Sequence, residues 1–234
     1  LMLDVTGAGT AASVVGNMLE RGFGHTEYGD RFATVISLCA VTGEGKIIRT
    51  GFSGYSGART ASTYRYGIGP MLDGLFTQSN LGIITEMTFE LMPRPEAVSM
   101  FVLSSKNEDS LSAIVEAVRE MRLSGVVRSA VHIANRSRAV GEKDNKLVGA
   151  WNLSGAITGP SAVVRAKKRY VKKVFRQHVS RYSLWFFGKR LLKIVRWIHE
   201  HIFRLEVYNA LRDIYDLQTG VPTDEPLRTL LNDD

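Results

Sequence analysis

Apolar and polar positions alternate over residues 83–91, with Ile83, Thr85, Met87, Phe89 and Leu91 on one side and Ile84, Glu86, Thr88 and Glu90 on the other. A period of two predicts a strand with one buried face. Upstream, residues 34–41 and 46–50 are apolar, β-capable runs around Gly43-Glu44-Gly45, which predicts a hairpin. Pro70 suits the first turn of a helix that carries Met71, Leu72, Leu75 and Phe76 on one side and ends near Asn80. Beyond residue 99 the pattern mixes the two periods. Residues 100–104, 126–134 and 148–157 read as strands. Leu111, Ile114, Val115, Val118 and Met121 form a helical stripe, Pro160 opens a helix running to about His178, and helical patterns cover 189–204 and 207–218.

Glycine divides this pattern into two. Fifteen of the 22 glycines precede residue 99, and Pro93-Arg94-Pro95 marks the change, so a domain boundary is expected near residue 97. At 234 residues the chain is long enough for one large or two small domains. Its 44% hydrophobic and 23% charged residues exclude a disordered class, and the single Cys39 excludes an intrachain disulfide framework. There is no signal-peptide pattern and no apolar run long enough to span a bilayer, so a cytoplasmic protein is expected. The chain opens directly on Leu1-Met2-Leu3 within a strand-like run, which suggests truncation.

The net charge of +7 belongs to one segment. Residues 161–205 hold 13 Lys or Arg and one acid, Glu200, so the rest of the chain is net acidic. Aromatic residues are interleaved with these cations, including Tyr170, Phe175, Tyr182, Trp185, Phe186, Phe187 and Trp197. Such a mixture suits a nucleic-acid surface, a membrane-surface helix, or two amphipathic helices whose solvated face is basic. The apolar stripes favour the last. Val163, Val164, Tyr170, Val171, Val174 and Phe175 recur at core spacing, as do Leu191, Leu192, Val195, Ile198 and Ile202. No nucleic-acid partner is expected, and a membrane-surface role is the lesser alternative. The run Leu184-Trp185-Phe186-Phe187 would be explained by a contact between two copies of the domain that carries it or by a lipid surface.

The glycine-rich N-terminus allows two ligand readings. Gly7-Ala8-Gly9-Thr10-Ala11-Ala12 matches the Gly-x-Gly-x-x-Ala of a dinucleotide-binding turn, and Glu27 or Asp30 follows at about the ribose-binding distance. Gly16-Asn17 falls inside the helix this motif needs, and a hairpin follows where a parallel strand is required, which argues against it. The other reading is a backbone cradle over Ser13–Asp30. Glycines at 16, 22, 24 and 29 allow close approach of main chain to a ligand, and Asn17, His25, Thr26 and Tyr28 supply polar groups. The same glycines also suit sheet turns with no ligand. The pattern alone leaves these open.

Ser13-Val14-Val15-Gly16-Asn17, continuing through Glu20-Arg21-Gly22-Phe23-Gly24-His25-Thr26 to Tyr28-Gly29-Asp30, resembles a stretch of the vanillyl-alcohol oxidase and para-cresol methylhydroxylase (PCMH) family. Tyr66-Gly67-Ile68-Gly69-Pro70 through Gly82-Ile83-Ile84-Thr85 resembles a second stretch, and Leu91-Met92-Pro93-Arg94-Pro95 the exit from the same domain. Order and spacing agree over about 80 residues. Weaker similarity continues in Arg122-Leu123-Ser124-Gly125, in Gly149-Ala150-Trp151-Asn152 and from Gly220 to Leu227.

The resemblance implies an α+β fold: residues 1–97 as the second subdomain of a PCMH-type FAD-binding domain, followed by part of an α+β substrate, or cap, domain over 98–234. It implies an FAD-dependent oxidoreductase, an oxidase or dehydrogenase that moves hydride from a phenolic or aromatic alcohol-type substrate to flavin N5. The cofactor would be FAD, lined by Gly16, Asn17, Gly22, Gly24, His25 and Gly29 and contacted through main chain at Gly82, Ile83 and Ile84. No metal is implied. His25 stands where phenol-oxidising relatives often have a phenolate-binding tyrosine. It can donate a hydrogen bond to an anion, act as acid or base, or serve structure alone. The acid those relatives place near N5 would fall at Gly7–Gly9, where there is none; Asp4 lies several residues early. The family's pyrophosphate loop and first FAD subdomain would precede residue 1. The partners implied are a small aromatic substrate and a second copy or complementary subunit. A chain that serves only as an inactive remnant or an interaction module with another subunit is the alternative.

Overall fold

A computed structural model of the chain describes residues 1–140, 148–202 and 206–224. The predicted helix end at 203–204 and Glu225-Pro226-Leu227 of the last resemblance lie outside the described residues. Contacts divide the chain into two compact units. The first comprises Leu1–Gly24, Tyr28–Pro93 and Pro222–Asp234; the second comprises His25–Glu27 and Arg94–Val221.

The first unit contains the short helix α1 (Val14–Leu19) and three strands, β1 (Val35–Thr42), β2 (Ile47–Arg49) and β3 (Gly82–Phe89). They form one antiparallel sheet in the order β2-β1-β3. The predicted hairpin is present, turned by Gly45 at φ 78°. Among the described residues no parallel strand follows α1, so the dinucleotide-turn reading of Gly7–Ala12 has no crossover to support it. Ser13 caps α1, its hydroxyl accepting from the Gly16 N–H at 3.0 Å. Met18 from α1 packs with Val35, Leu38, Ala40 and Phe76 to form the core.

Two sequence expectations change here. The strand over 83–91 exists, but its single parity does not hold. Cys39 pairs with Glu86 and Ala40 with Ile84, so Thr85 is an extra residue, and the bulge reverses the faces. Ile84 therefore joins Met87 and Phe89 against the core, whereas Ile83 is 74% exposed. The helix expected after Pro70 is only a 3-10 turn over Asp73–Phe76. Its place is set by a buried polar anchor: Thr50 Oγ1 donates to the Asp73 carboxylate at 2.7 Å and accepts the Leu38 N–H at 2.8 Å. That anchor leaves Met71, Leu72 and Leu75 at the surface.

The second unit is built on β4 (Ala97–Ser105), with α2 (Leu111–Leu123), β5 (His132–Asn135), α3 (Arg136–Val140), β6 (Trp151–Gly159), α4 (Ser161–His178), β7 (Tyr182–Phe187), α5 (Lys189–His201) and α6 (Glu206–Gln218). Its sheet is antiparallel in the order β5-β6-β4-β7. One face carries Phe101, Leu103, Leu153 and Ile157 under Ile114, Ala117 and Met121 of α2 and Val164, Val171, Val174 and Phe175 of α4. The other face is covered at one end, where Met100, Ala156 and Phe187 meet Leu192 of α5 and Leu211, Ile214 and Tyr215 of α6.

The run Tyr182–Phe187 is the edge strand β7. It pairs with β4 from Ser105↔Tyr182 to Met100↔Phe187, so Phe186 and Phe187 go to opposite faces. Lys168 and Lys172 lie over the Phe186 ring at 5.6 and 5.5 Å. The helix α4 buries Val164, Val171, Val174 and Phe175 of its predicted stripe, half-buries Tyr170, exposes Val163 and leaves its basic face at the surface. The stripe of α5 behaves differently. Only Leu192 is buried; Leu191 and Ile202 are exposed, because the helix meets the sheet along one narrow edge. The strand predicted at 126–134 is shortened to His132–Asn135. The Val126 and Val127 amides bond the Met121 carbonyl, and Arg122 of α2 holds the carbonyls of Arg128 and Ser129, so these groups do not join a ladder.

Packing sets the energetic expectation. Phe175 is fully buried against Phe101 and Tyr182, so Phe175→Ala should cost about 3–5 kcal/mol. Trp185, 67% exposed on β7, should tolerate alanine within about 0.5 kcal/mol. Urea unfolding followed by far-ultraviolet circular dichroism would separate the two; equal losses would contradict this packing.

Candidate functional site

The loop from Gly22 to Asp30 holds Gly22, Gly24, His25 and Gly29, four of the nine predicted site residues. Its base lies in the first unit, where Phe23 and Asp30 form a β-bridge and the Gly24 N–H donates to the Gly29 carbonyl at 2.8 Å. Between them, His25–Glu27 belongs to the second unit.

The glycines of this loop divide by what surrounds them. A Cβ on Gly22 would overlap the Asn17 carboxamide, and one on Gly24 would overlap the Asp4 carboxylate. Both glycines are therefore required by the protein's own packing. Asn17 is also engaged, its Oδ1 accepting from Arg31 at 2.7 Å and its carbonyl accepting the Gly22 N–H at 2.8 Å. Asp4, 5% exposed, sits near the buried Arg31, whose pKa is lowered by burial and partly restored by the Asp4 charge. This acid props the loop from inside. Gly16 lies in α1 beside its capping serine.

Gly29 is different. Its φ is +58° and nothing approaches the position of a Cβ within 4 Å, so its main chain is open on that side. Gly82 and Ile83 begin β3, the outer strand of the sheet, whose far edge carries no paired strand among the described residues. Gly82 is pressed against the Val41 carbonyl and the Phe76 ring, which lets β3 start close to β1. Ile84 points inward, so only its main chain is available to a ligand. Beside the loop, a cleft of about 430 Å³ is lined by Arg21, Phe23, Asp30, Phe32, Gly74 and Thr77. Arg21 reaches Thr77 Oγ1 with two nitrogens, at 3.2 and 3.1 Å.

His25 is seated in the second unit by main chain and side chain together. Its carbonyl accepts the Ala130 N–H at 3.1 Å. Its Nδ1 lies 3.1 Å from Nε2 of His132, and the rings stack with centroids 4.9 Å apart. The neighbouring Ser129 is locked to β6, donating to the Ala156 carbonyl at 2.9 Å and accepting its N–H at 3.0 Å. Burial first, and His132 second, push His25 from its ordinary 6.5 down to about 4. His132 is more open to water, and its pKa is lowered by surrounding protein and then by Arg138. Both rings are thus neutral near pH 7, and one proton lies between them.

Sequence reasoning did not find His132. It lies 107 residues from His25 in a stretch with no motif of its own, so no local signal connects the two. A larger cavity of about 680 Å³ in the second unit is lined by Lys106, Glu108, Asn135, Arg136, Trp151 and neighbours, none of them among the predicted site residues. Among the described residues no group of three or more histidine, cysteine or acidic side chains is placed to hold a metal, and no helix is long and apolar enough to cross a membrane.

No family model matches the chain. Over 259 aligned positions it is 33% identical to the 1'-carboxy-chondrochloren decarboxylase of Chondromyces crocatus, covering 98% of this chain and 47% of that protein. It is 32% identical to the flavoprotein subunit of the hydroxylating 4-cresol dehydrogenase of Pseudomonas putida, covering 76% of this chain and 38% of that one. The fold matches p-cresol methylhydroxylase with substrate bound at a TM-score of 0.79 and 27% identity, over 97% of this chain and 46% of the other. It matches 4-ethylphenol oxidase from Gulosibacter chungangensis at 0.79 and 26%, over 98% and 46%. The chain spans less than half the length of these relatives.

Two outcomes are expected from this geometry. Gly24→Ala should destabilise the first unit by about 2 kcal/mol, and Asp4→Ala added to it should recover part of that loss, a coupling that a double-mutant cycle would detect. Simple additivity would contradict the close approach. The second concerns acid. His25 titrates lower in the folded chain than unfolded, so its stabilising contribution is full above about pH 6.5 and is lost as pH falls toward 4. The loss should reach about 3 kcal/mol. Chemical denaturation of wild type and His25→Gln across this range should show a steeper acid decline in wild type.

Proposed function

We propose, on the premise that this chain belongs to the vanillyl-alcohol oxidase and PCMH-type family of flavoproteins, that it forms part of an FAD-dependent oxidoreductase acting on a phenolic or aromatic alcohol-type substrate. The observation that carries the proposal is the match over nearly the whole chain to p-cresol methylhydroxylase and 4-ethylphenol oxidase, at an identity that goes beyond fold alone. In this reading residues 1–97 belong to the FAD-binding domain and 98–234 to the substrate domain.

The residues present fit a flavin in a restricted way. Gly29 and the outer edge at Gly82-Ile83 offer open main chain, which suits hydrogen bonds to ring or ribityl heteroatoms. Gly16, Asn17, Gly22 and Gly24 act one step back, holding the shape of the loop that presents Gly29. Bound FAD supplies the acceptor for the substrate hydride. His25 supplies a neutral imidazole to a substrate oxygen, since burial opposes a cationic ring. Partners in this reading are a small aromatic molecule and a complementary subunit or a second copy of the chain.

One observation favours a second chemistry. The relative aligned over 98% of the chain is named a decarboxylase, so loss of a carboxyl group as carbon dioxide from a related aromatic acid is the alternative.

The test begins with flavin. Titration of the purified chain with FAD should quench flavin fluorescence, and Gly29→Val should weaken that binding at least about tenfold through strain at its positive φ, about 1.4 kcal/mol. A chain that never binds FAD, alone or with a complementary subunit, would sink the proposal. With flavin bound, acceptor reduction by a para-alkylphenol without carbon dioxide release supports oxidation; release of carbon dioxide from a carboxylated analogue supports the second chemistry.

A further inference from the structure

We infer that helix α5, together with Trp185 of β7, is a docking face for the surface of an anionic membrane. The helix would lie in the headgroup region without crossing the bilayer.

The sheet leaves part of the α5 stripe uncovered. Leu192 packs with Met100, Ala156 and Phe187, whereas Leu191, Ile194 and Trp197 are 44%, 57% and 55% exposed. These three recur every third residue, so they form one row along the helix. Ile202, at the helix end, is exposed as well. Trp185 has the same strand parity as Phe187, so it projects from the face of the sheet on which α5 packs. Five bulky apolar side chains are therefore open to solvent on the side of the second unit that carries α5. One such residue needs no explanation, but a row of them marks an interaction surface.

Charge decides what covers it. Lys189, Arg190, Lys193 and Arg196 are all exposed on the same helix. Arg190 lies one turn before Ile194, and Lys193 one turn before Trp197, so cations stand beside the apolar row. Glu200, the one acid of α5, is already bonded to Arg196 at 2.8 Å. A folded protein covering the row would take Arg190 and Lys193 out of water and would need an acid opposite each. A second copy of α5 would bring the same cations and no free acid. At a lipid surface the apolar row enters the headgroup boundary while the long cationic side chains reach lipid phosphates. Trp197 suits that boundary, with an apolar ring and a polar N–H. Helix α4 lacks the combination, because most of its apolar stripe is buried beneath its basic face. A row this short gives weak binding by itself, so the anionic charge of the lipid is required.

The test uses the full chain and large vesicles, of phosphatidylcholine alone or mixed equally with phosphatidylglycerol. The chain should sediment with the mixed vesicles and not with the neutral ones, and its tryptophan emission should shift to the blue. Ile194→Ser with Trp197→Ser should lower the partition coefficient at least about tenfold, and so should Arg190→Glu with Lys193→Glu. Arg165→Glu with Lys173→Glu on α4 changes the net charge equally and should lower it less than about threefold. Failure to bind the mixed vesicles overturns the inference. An α4 pair as damaging as the α5 pair also overturns it, since net charge alone would then be acting. A concentration-dependent dimer that Trp197→Ser dissociates, with no vesicle binding, would assign the face to a second copy and overturn it too. If circular dichroism shows that the serine variant does not fold, the two charge-reversal pairs decide.

Discussion

The second unit depends on the continuous pairing of β4 with β6. Nine consecutive residue pairs, from Ala97↔Gly159 to Ser105↔Trp151, run without a bulge. Met100, Phe101 and Leu103 of β4 are completely buried, so both faces of this strand are committed to packing. Because side chains alternate along a strand, a slip of one residue would exchange those faces and is strongly opposed. That register passes to β5 through His132↔Ser154 and to β7 through Val102↔Trp185. His132 reaches His25 because the register places it on the face away from α2 and α4. Sheet packing therefore fixes His132, the partner that His25 meets.

The glycine-rich segment of the first unit shows that small residues can be required by packing within the protein. Gly22 and Gly24 look like residues kept small for a ligand, yet the atoms that exclude a Cβ there belong to Asn17 and Asp4. Gly29 and the start of β3 are the places where main chain is open. The protein's own side chains shape the loop, and a few main-chain groups stay open. This also assigns Asp4, the acid nearest the glycine turn, to a buried structural role near Arg31 instead of a reactive one.

Charge follows the same division between surface and core. The cations of α4 lie on its solvated face, and two of them cover the Phe186 ring. In the aromatic run of β7, Leu184 and Phe186 pack on one face of the sheet and Phe187 on the other, while Trp185 stays exposed. On α5 the apolar stripe is wider than the surface it covers, so periodicity overstated its burial.

Much of this protein was readable without the fold. The hairpin around Gly43–Gly45, the long helix opened by Pro160 and the change of character after Pro93 follow from local rules: turn chemistry, fixed proline φ and apolar spacing act over a few residues. The family spacing across residues 13–95 pointed to flavin chemistry for the same reason, since its glycines and polar residues are close in sequence. What tertiary structure decided was long-range. It inserted Thr85 as a bulge and so exposed Ile83, drew Asp73 to Thr50 and shortened a helix, and turned Tyr182–Phe187 into an edge strand. Above all it brought His132 to His25. Hydrogen bonding and burial depend on which surfaces meet, and no residue pattern along the chain contains that pairing.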